Sequence, residues 1–433
     1  MQRTTSRDRL EQALSRIADP KGEGARTCLT VYQAAARAAA DAADARARGS
    51  MALGPLDGVI VSIKDLFDVK GEPTRAGSKI LADAPPAGED APVVRRLRAA
   101  GAVIVAKTNM TEFAFSGVGA NPHFGTPGNP ADRARVPGGS SSGAAVAAAD
   151  RMCEIAIGTD TGGSTRIPAA LCGIVGYKPS KWRVPTDGAF PLSFTLDSVG
   201  PLARSVEDCA VADAVIASEE PWRLEPAALA GLRLGVPVSD KLHVRDATVT
   251  AAFAAALEAL RSAGARIADM PFPLLDEMVA ANPKGGFPVP EAYALHRERF
   301  AARGAEVDPH VRARIERGAS ITAADYIDLI QIRARLVRAV DAWLVDTGVD
   351  ALAMPTTPIV APRLDEVGTP ETFVPKNVAL LSNTAIVNFF DLCAISVPLP
   401  RDGRLPVGLM LIARNGEDRR LFRIAAAVEQ LFS

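Results

Sequence analysis

Residues 154–180 read EIAIGTDTGGSTRIPAALCGIVGYKPS. The apolar run EIAIG predicts a short buried strand that gives way at Asp160 to a glycine turn. RIPAALC then has the composition of a helix or turn, and GIVGYK that of a second strand. A strand, a glycine turn, a helix and another strand in succession read as an α/β unit. The same alternation extends both ways. GVIVSIKDLFDV (58–69) holds a β-like core, VIVSI, that runs into Lys64 and Asp65. Residues 91–100 predict a helix, AVIVAKTN (102–109) a strand and SGAAVAAAD (142–150) a helix. Downstream, strands are expected at 232–238, 265–273, 351–359, 393–399 and 407–413, with helices at 246–263 and 418–432. Residues 6–17 and 30–48 have helical spacing. Residues 290–347 are mostly helical, with Thr322 to Asp325 resembling a capping box. The fold class is therefore α/β with a mostly parallel sheet. No internal repeat or flexible linker stands out, so residues 1–433 are expected to form one domain.

Bulk composition narrows the function. The chain has 433 residues, 48% hydrophobic and 23% charged, which is ample for a large core. A net charge of −1 and 5% aromatics give no footprint for nucleic acid. Cys28, Cys153, Cys172, Cys209 and Cys393 form no C-x-x-C pair and read as isolated thiols in a reducing compartment. His123, His243, His296 and His310 lack ligand spacing, so neither a metal nor a cofactor is expected. The N-terminal stretch has no apolar core of a signal peptide, and low-charge runs fall short of a bilayer span. A soluble, cytoplasmic protein without membrane contact is expected.

Two stretches place serine directly after a glycine pair: PGGSSSG (137–143) and DTGGSTR (160–166). The first is also readable as a flexible segment, with Ser141 or Ser142 capping the helix that follows. It closes a Gly-, Pro- and Asn-rich region, 116–143, too long for an ordinary connection. In the second, successive N–H groups around Gly162 and Gly163 form an anion-binding concavity, and Ser164 is placed to attack a carbonyl. The alternatives are a tight strand–helix turn or a phosphate loop. A Walker loop needs G-K-[ST], which is absent, and a nucleophile elbow needs G-x-S-x-G, which GGSTR is not. A serine nucleophile needs a base. With no histidine nearby, Lys64 is the candidate, because burial at a strand end favours neutral lysine.

Three segments together resemble the amidase signature family: PLDGVIVSIKDLFDV (55–69), PGGSSSGAAVAAA (137–149) and IGTDTGGSTRIPAALCGIVGYKPS (157–180). AKTNMTEFAFSG (106–117), LDSVGPLARSVED (196–208) and LPVGLMLIARNGED (405–418) support it, so the likeness spans about residues 5–432. The resemblance implies a large, mostly parallel mixed twisted sheet covered on both sides by helices. It divides the chain into an N-terminal helical segment (about 1–50), a signature core (about 55–215) and a helical insertion (about 275–345). It implies a Ser–cisSer–Lys triad. Ser164 falls on the nucleophile, Ser140 on the bridging serine after a cis Gly139–Ser140 peptide, and Lys64 on the base. The N–H groups of Thr161, Gly162, Gly163 and Ser164 fall on the oxyanion hole.

The expected activity is hydrolysis of a small carboxamide by water, yielding carboxylate and ammonia. The resemblance also implies a homodimer and leaves room for an accessory subunit. Asp160 and Arg166 are expected to brace the loop as an ion pair, with recognition of an acidic substrate by Arg166 as the competing idea. Ser141 is expected to form loop hydrogen bonds. His123 is read as a loop or pocket-wall residue without an oriented carboxylate, and Cys172 as core. Phe113, Phe115, Phe190 and Phe194 suggest an apolar pocket. The alternatives are the glutaminase component of a tRNA-dependent amidotransferase, a silent amide- or partner-binding member, and a serine esterase. In that glutaminase an aspartate holds the glutamine amino group, and Leu381 stands at its position here.

Overall fold

The computed structural model describes residues 4–433 apart from His243, Arg245 and Asp402. The expectation for His243 therefore lies outside the described residues. The strands are β1 (Cys28–Val31), β2 (Ile60–Lys64), β3 (Val103–Thr108), β4 (Ile155–Thr159), β5 (Val175–Lys178) and β6 (Val199–Ala203), then β7 (Arg233–Val238), β8 (Arg266–Pro271), β9 (Ala351–Pro355), β10 (Cys393–Pro398) and β11 (Gly408–Ala413). Among the described residues they form one 11-stranded sheet in the order β1-β3-β2-β4-β6-β5-β10-β11-β9-β7-β8.

The α/β class and the mixed sheet are as expected. The balance of directions is not: β2/β3, β2/β4, β7/β8 and β7/β9 are parallel, and the other neighbours are antiparallel. The reason lies in the connections. Parallel neighbours need a crossover, usually a helix. Helix Pro92–Ala99 lies between β2 and β3, and helix Ala247–Ser262 between β7 and β8. Among the described residues no helix lies between β5 and β6 or between β10 and β11, and these pairs reverse.

Two strands were not legible in the residue pattern. Edge strand β1 is short, pairs only with β3 and interrupts the segment expected to be helical over 1–50. Strand β6 contains Gly200 and Pro201, which argue against a central strand. It nevertheless lies between β4 and β5. Pro201 is tolerated there because the β5 ladder reaches only Leu202 and Ala203.

The central strands are buried on both faces, which explains their near-continuous apolar runs. Side chains alternate between two cores. Val61 and Ile63 of β2, with Ile155 and Ile157 of β4, join one core with Phe422 and Ile424 of helix Asp418–Phe432. Ile60 and Ala156 point the other way, toward Ala144 to Ala148 of helix Ser142–Ala149. Lys64 shares the face of Ile60 and Ser62 by this period of two. The end of β2 therefore delivers its amine beside the start of that helix. The insertion supplies helices Leu274–Ala281, Pro288–Arg303, Pro309–Glu316 and Ala323–Thr347, the last with the expected Thr322–Asp325 capping box. Among the described residues, no helix is long and apolar enough to cross a membrane.

Candidate active site

Strands β2 and β4 run parallel and side by side, so their C-terminal ends meet. At that end Lys64 Nζ lies 2.8 Å from Ser140 Oγ and 2.9 Å from Thr159 Oγ1. All three groups are buried. Burial pulls the Lys64 pKa down to about 7, against partial opposition from Asp197 and Asp160. Two other lysines are as deeply buried. Lys178 Nζ bonds the carbonyls of Pro179 and Leu392, and Lys107 Nζ lies 3.6 Å from Glu72. Among these three, Lys64 alone contacts a serine hydroxyl.

The Gly139–Ser140 peptide is cis, as the resemblance implied. Ser141 N donates to Ser164 O at 3.3 Å and Ser141 Oγ to Thr159 O at 3.3 Å, so this residue stitches the two glycine–serine loops together. Gly158 permits the approach: a Cβ there would stand 2.8 Å from Ser141 Oγ. Ser141 occupies the N-cap of helix Ser142–Ala149, but its side chain makes no capping bond. Ser142 Oγ is buried without a partner. The expected serine cap is therefore not formed, because the Ser141 hydroxyl is turned to β4 instead. Ser164 lines a cleft next to these groups, and among the described residues its hydroxyl makes no hydrogen bond to Ser140.

Asp160 organises the second loop. Its carboxylate accepts from Gly163 N (2.8 Å), Thr165 N (3.1 Å), Thr165 Oγ1 (2.9 Å) and Asn388 Nδ2 (2.8 Å). Arg166 adds a two-point ion pair through Nε (3.1 Å) and Nη2 (2.9 Å). Burial would raise this carboxyl, but the guanidinium of Arg166 and the amide of Asn388 hold it well below the usual carboxylate range. Both members of the pair are fully buried, and Arg166 also bonds Asn388 Oδ1 at 2.7 Å. Arg166 is not in the cleft lining. The buried pair with Asp160 is the bracing arrangement expected of it.

The expected oxyanion donors divide. Gly163 N–H is taken by Asp160, which removes it from the set. Among the described residues the N–H groups of Thr161, Gly162 and Ser164 have no protein partner, and all three residues line the cleft. Gly163 is required here for its shape: its φ is +130°, and a Cβ would stand 2.1 Å from Thr384 Oγ1. Thr384 in turn donates to Gly162 O at 2.6 Å.

The cleft encloses about 260 Å³. Of the four phenylalanines expected in a pocket, only Phe115 lines it. Phe113 is buried in the core, its ring 4.1 Å from that of His296 and 5.8 Å from that of Phe190, and Phe194 is 55% exposed. The apolar wall comes instead from Leu192, Leu196, Met278, Phe287, Leu381 and Phe389. Leu381 sits in this wall at the position expected to distinguish the chain from a glutaminase. Arg314 is the charged residue of the lining, and no described Asp or Glu joins it. Its Nη1 donates to Phe115 O at 2.5 Å, its guanidinium lies 4.2 Å from the Phe115 ring centre, and it has no ion pair among the described residues. Burial, with Arg317 nearby, lowers its pKa to about 10, which leaves it charged at neutral pH.

His123 does have an oriented carboxylate, contrary to expectation: Nε2 lies 2.9 Å from Glu112 Oε2. Glu112 also bonds Asp308 N, and His123 is not in the cleft lining, so the pair ties loops together. Cys172 is core, its thiol bonded to Pro137 O and its pKa pushed up by burial. Thr159, Asn388 and Arg314 were missed in the sequence. Thr159 adjoins the glycine motif and was within reach. Nothing marks Asn388, and Arg314 lies in the charge-dense run RARIERG, which reads as a solvated helix face.

Lys64 thus lies buried against one serine hydroxyl, beneath a cleft that carries a second serine and N–H groups without a protein partner among the described residues. Comparison with known proteins gives the class its name. The family model described as Amidase matches residues 9–422. The chain is 40% identical to 2-amino-5-chloromuconic acid deaminase of Comamonas testosteroni, over 92% of this chain and 87% of that one. It is 38% identical to the A subunit of glutamyl-tRNA(Gln) amidotransferase from Anaeromyxobacter sp. (strain K), over 98% and 93%. Among solved structures, a crystal structure of an amidase superposes with a TM-score of 0.87 at 34% identity, over 99% of this chain and 97% of that one. Native peptide amidase from Stenotrophomonas maltophilia gives 0.81 at 29% identity, over 99% and 94%. The chain belongs to the amidase family and is a hydrolase of carbon–nitrogen bonds in amides.

Proposed function

We propose that the protein hydrolyses the primary amide of a small molecule that also carries a carboxylate, through an acyl-Ser164 intermediate. The observation that carries the chemistry is the buried contact of Lys64 Nζ with Ser140 Oγ at 2.8 Å. Neutral Lys64 takes the Ser140 proton while Ser140 takes that of Ser164, whose Oγ attacks the amide carbon. The two serine hydroxyls close to hydrogen-bond distance on the substrate, as such contacts tighten in the Michaelis complex. The tetrahedral oxyanion is held by N–H groups of Thr161, Gly162 and Ser164. The proton returns through Ser140 to the leaving nitrogen, ammonia departs, and water cleaves the acyl-enzyme to the carboxylate.

Arg314 supports the substrate class. A half-buried guanidinium without an ion pair among the described residues, in a mostly apolar cleft, suits a carboxylate. The relative at 40% identity is named for an acid, in keeping with this. Ammonia release from a monoamide of a dicarboxylic acid, from glutamine and from a neutral aryl amide tests the reading, with S164A as control. Turnover of the acid amide, lost in S164A, is expected. Equal turnover of the neutral amide would remove Arg314 from the account.

A second reading is the glutaminase component of an amidotransferase, favoured by the 38% relative. Glutamine carries an ammonium beside its carboxylate, and the cleft offers Leu381 where a carboxylate would meet it. Glutamine is therefore expected to be a poor substrate, and L381D to improve it.

A further inference from the structure

Asp197 lies outside the cleft lining and outside the groups given a chemical role above, yet it joins three parts of the site. We infer that Asp197 is a positioning residue for the hydrolysis, clamping the Thr161–Gly162 donors to the cleft wall and supplying the counter-charge for Lys64. The inference rests on the Lys64–Ser140–Ser164 reading. Oδ1 accepts from Thr161 Oγ1 at 2.5 Å. Oδ2 accepts from Leu192 N at 2.9 Å and Ser193 N at 3.1 Å. One carboxylate thus fixes the loop whose N–H groups await the oxyanion and the segment that carries Leu192 and Leu196 into the wall. The next residue locks the same junction: Ser198 and Asp160 exchange backbone hydrogen bonds at 2.8 and 3.1 Å, and Ser198 Oγ donates to Asp160 O.

The charge is directed as well. Lys64 becomes an ammonium in a dry site once it has taken the Ser140 proton. The carboxylates that favour that form are Asp197 and, more weakly, Asp160. Asp160 is already committed to Arg166 in a two-point pair. Asp197 has no ion pair among the described residues. Lys181, a cation that acts on it, gives its Nζ to the Asp197 carbonyl at 2.9 Å rather than to the carboxylate. Burial pushes the Asp197 carboxyl up, while Thr161, Ser193, Leu192 and Lys181 favour its ionised form, so it is the carboxylate near Lys64 that is not committed to an ion pair among the described residues.

Steady-state kinetics across pH on D197N, T161V and the double variant test this, with S164A beside them. D197N is expected to lose roughly 10- to 100-fold in kcat with little change in KM, as when an oxyanion donor is displaced. Its acid limb is expected to move down by about half a pH unit or more, because Lys64 sheds its proton more readily without the facing charge. T161V removes the clamp and keeps the charge, so kcat falls while the limb stays. In the double variant the clamp is broken only once, and kcat falls no further than in D197N. Wild-type kcat in D197N, an unmoved limb, or fully additive losses overturn the inference. Should D197N not fold, D197E keeps the charge and moves the clamp: lowered kcat with an unmoved limb is expected, and wild-type kcat overturns the proposal. Activity surviving in S164A is a different failure, that of the acyl-enzyme reading itself.

Discussion

The groups proposed to react and those proposed to face the substrate come from two kinds of region. Lys64, Ser140, Asp160 and Ser164 stand at the ends of β2 and β4 and in the two glycine loops, held by sheet register and a buried hydrogen-bond network. Met278, Phe287 and Arg314 come from the helical segment after β8, far along the chain, and reach the cleft only through helix packing. The first region is tied together by strand pairing and hydrogen bonds, the second by helix packing. On the proposed reading catalysis and specificity are therefore separable, and the separation can be attacked from either side.

The largest effect is expected in the first region. S164A or K64A should lower kcat by about 10⁴-fold or more, since members of such a unit fail together. Purified variants with wild-type circular dichroism and residual activity above that level would break the comparison. R166M strikes the brace rather than the reacting atoms. It leaves Asp160 buried and unpaired, which costs about 3–5 kcal/mol of stability and shows as a lowered Tm. An unchanged Tm would mean the loop holds its shape without the pair.

The second region should respond differently. R314M is expected to lower kcat/KM for a carboxylated amide by about 10- to 100-fold, the loss of a charged hydrogen bond, mainly through KM. Neutral amides should be little affected and the Tm nearly unchanged. A fall in kcat alone would place Arg314 with the reacting groups.

The smallest effects concern pH. The proposed mechanism needs neutral Lys64, so kcat/KM of the wild type should rise with pH through about 7. Stability follows the same group with its own sign. The folded pKa lies below the ordinary 10.5, so the unfolded chain binds more protons between these values and stability rises with pH across that window. K64M should remove this slope. Its gain in Tm over the wild type is largest below about pH 7 and fades toward 10.5. A gain independent of pH would mean that lysine burial is not what the substitution relieves.

Much of this was legible in the residues. The runs at β2, β3 and β4 are apolar because both faces are buried, and their ends at Lys64, Asn109 and Asp160 mark where the strands stop. The Gly-Gly-Ser motifs declared the two loops, because only glycine allows Gly163 its backbone and Gly158 its approach to Ser141. What stayed hidden depended on partners distant in the chain. Strand β6 reads as a turn around Gly200 and Pro201 and becomes a strand only between β4 and β5. The occupation of Gly163 N–H by Asp160 is a matter of side-chain reach that no spacing encodes.

Local motifs, through the family they resemble, thus carried the reaction type. Strand ends, glycine turns and the serine and lysine they present are set by neighbours within a few residues, where covalent geometry and backbone sterics rule. The assembled fold chose the rest. Arg314 in RARIERG looks like any solvated helix arginine until Phe115 and the cleft enclose it. Leu381 was placed by the resemblance, and only the fold brings it against Gly162 in the cleft wall. Asp197 looks like a turn residue until Thr161 donates to it. Burial and charge pairing are properties of what surrounds a side chain, and those surroundings exist only once distant segments have packed together.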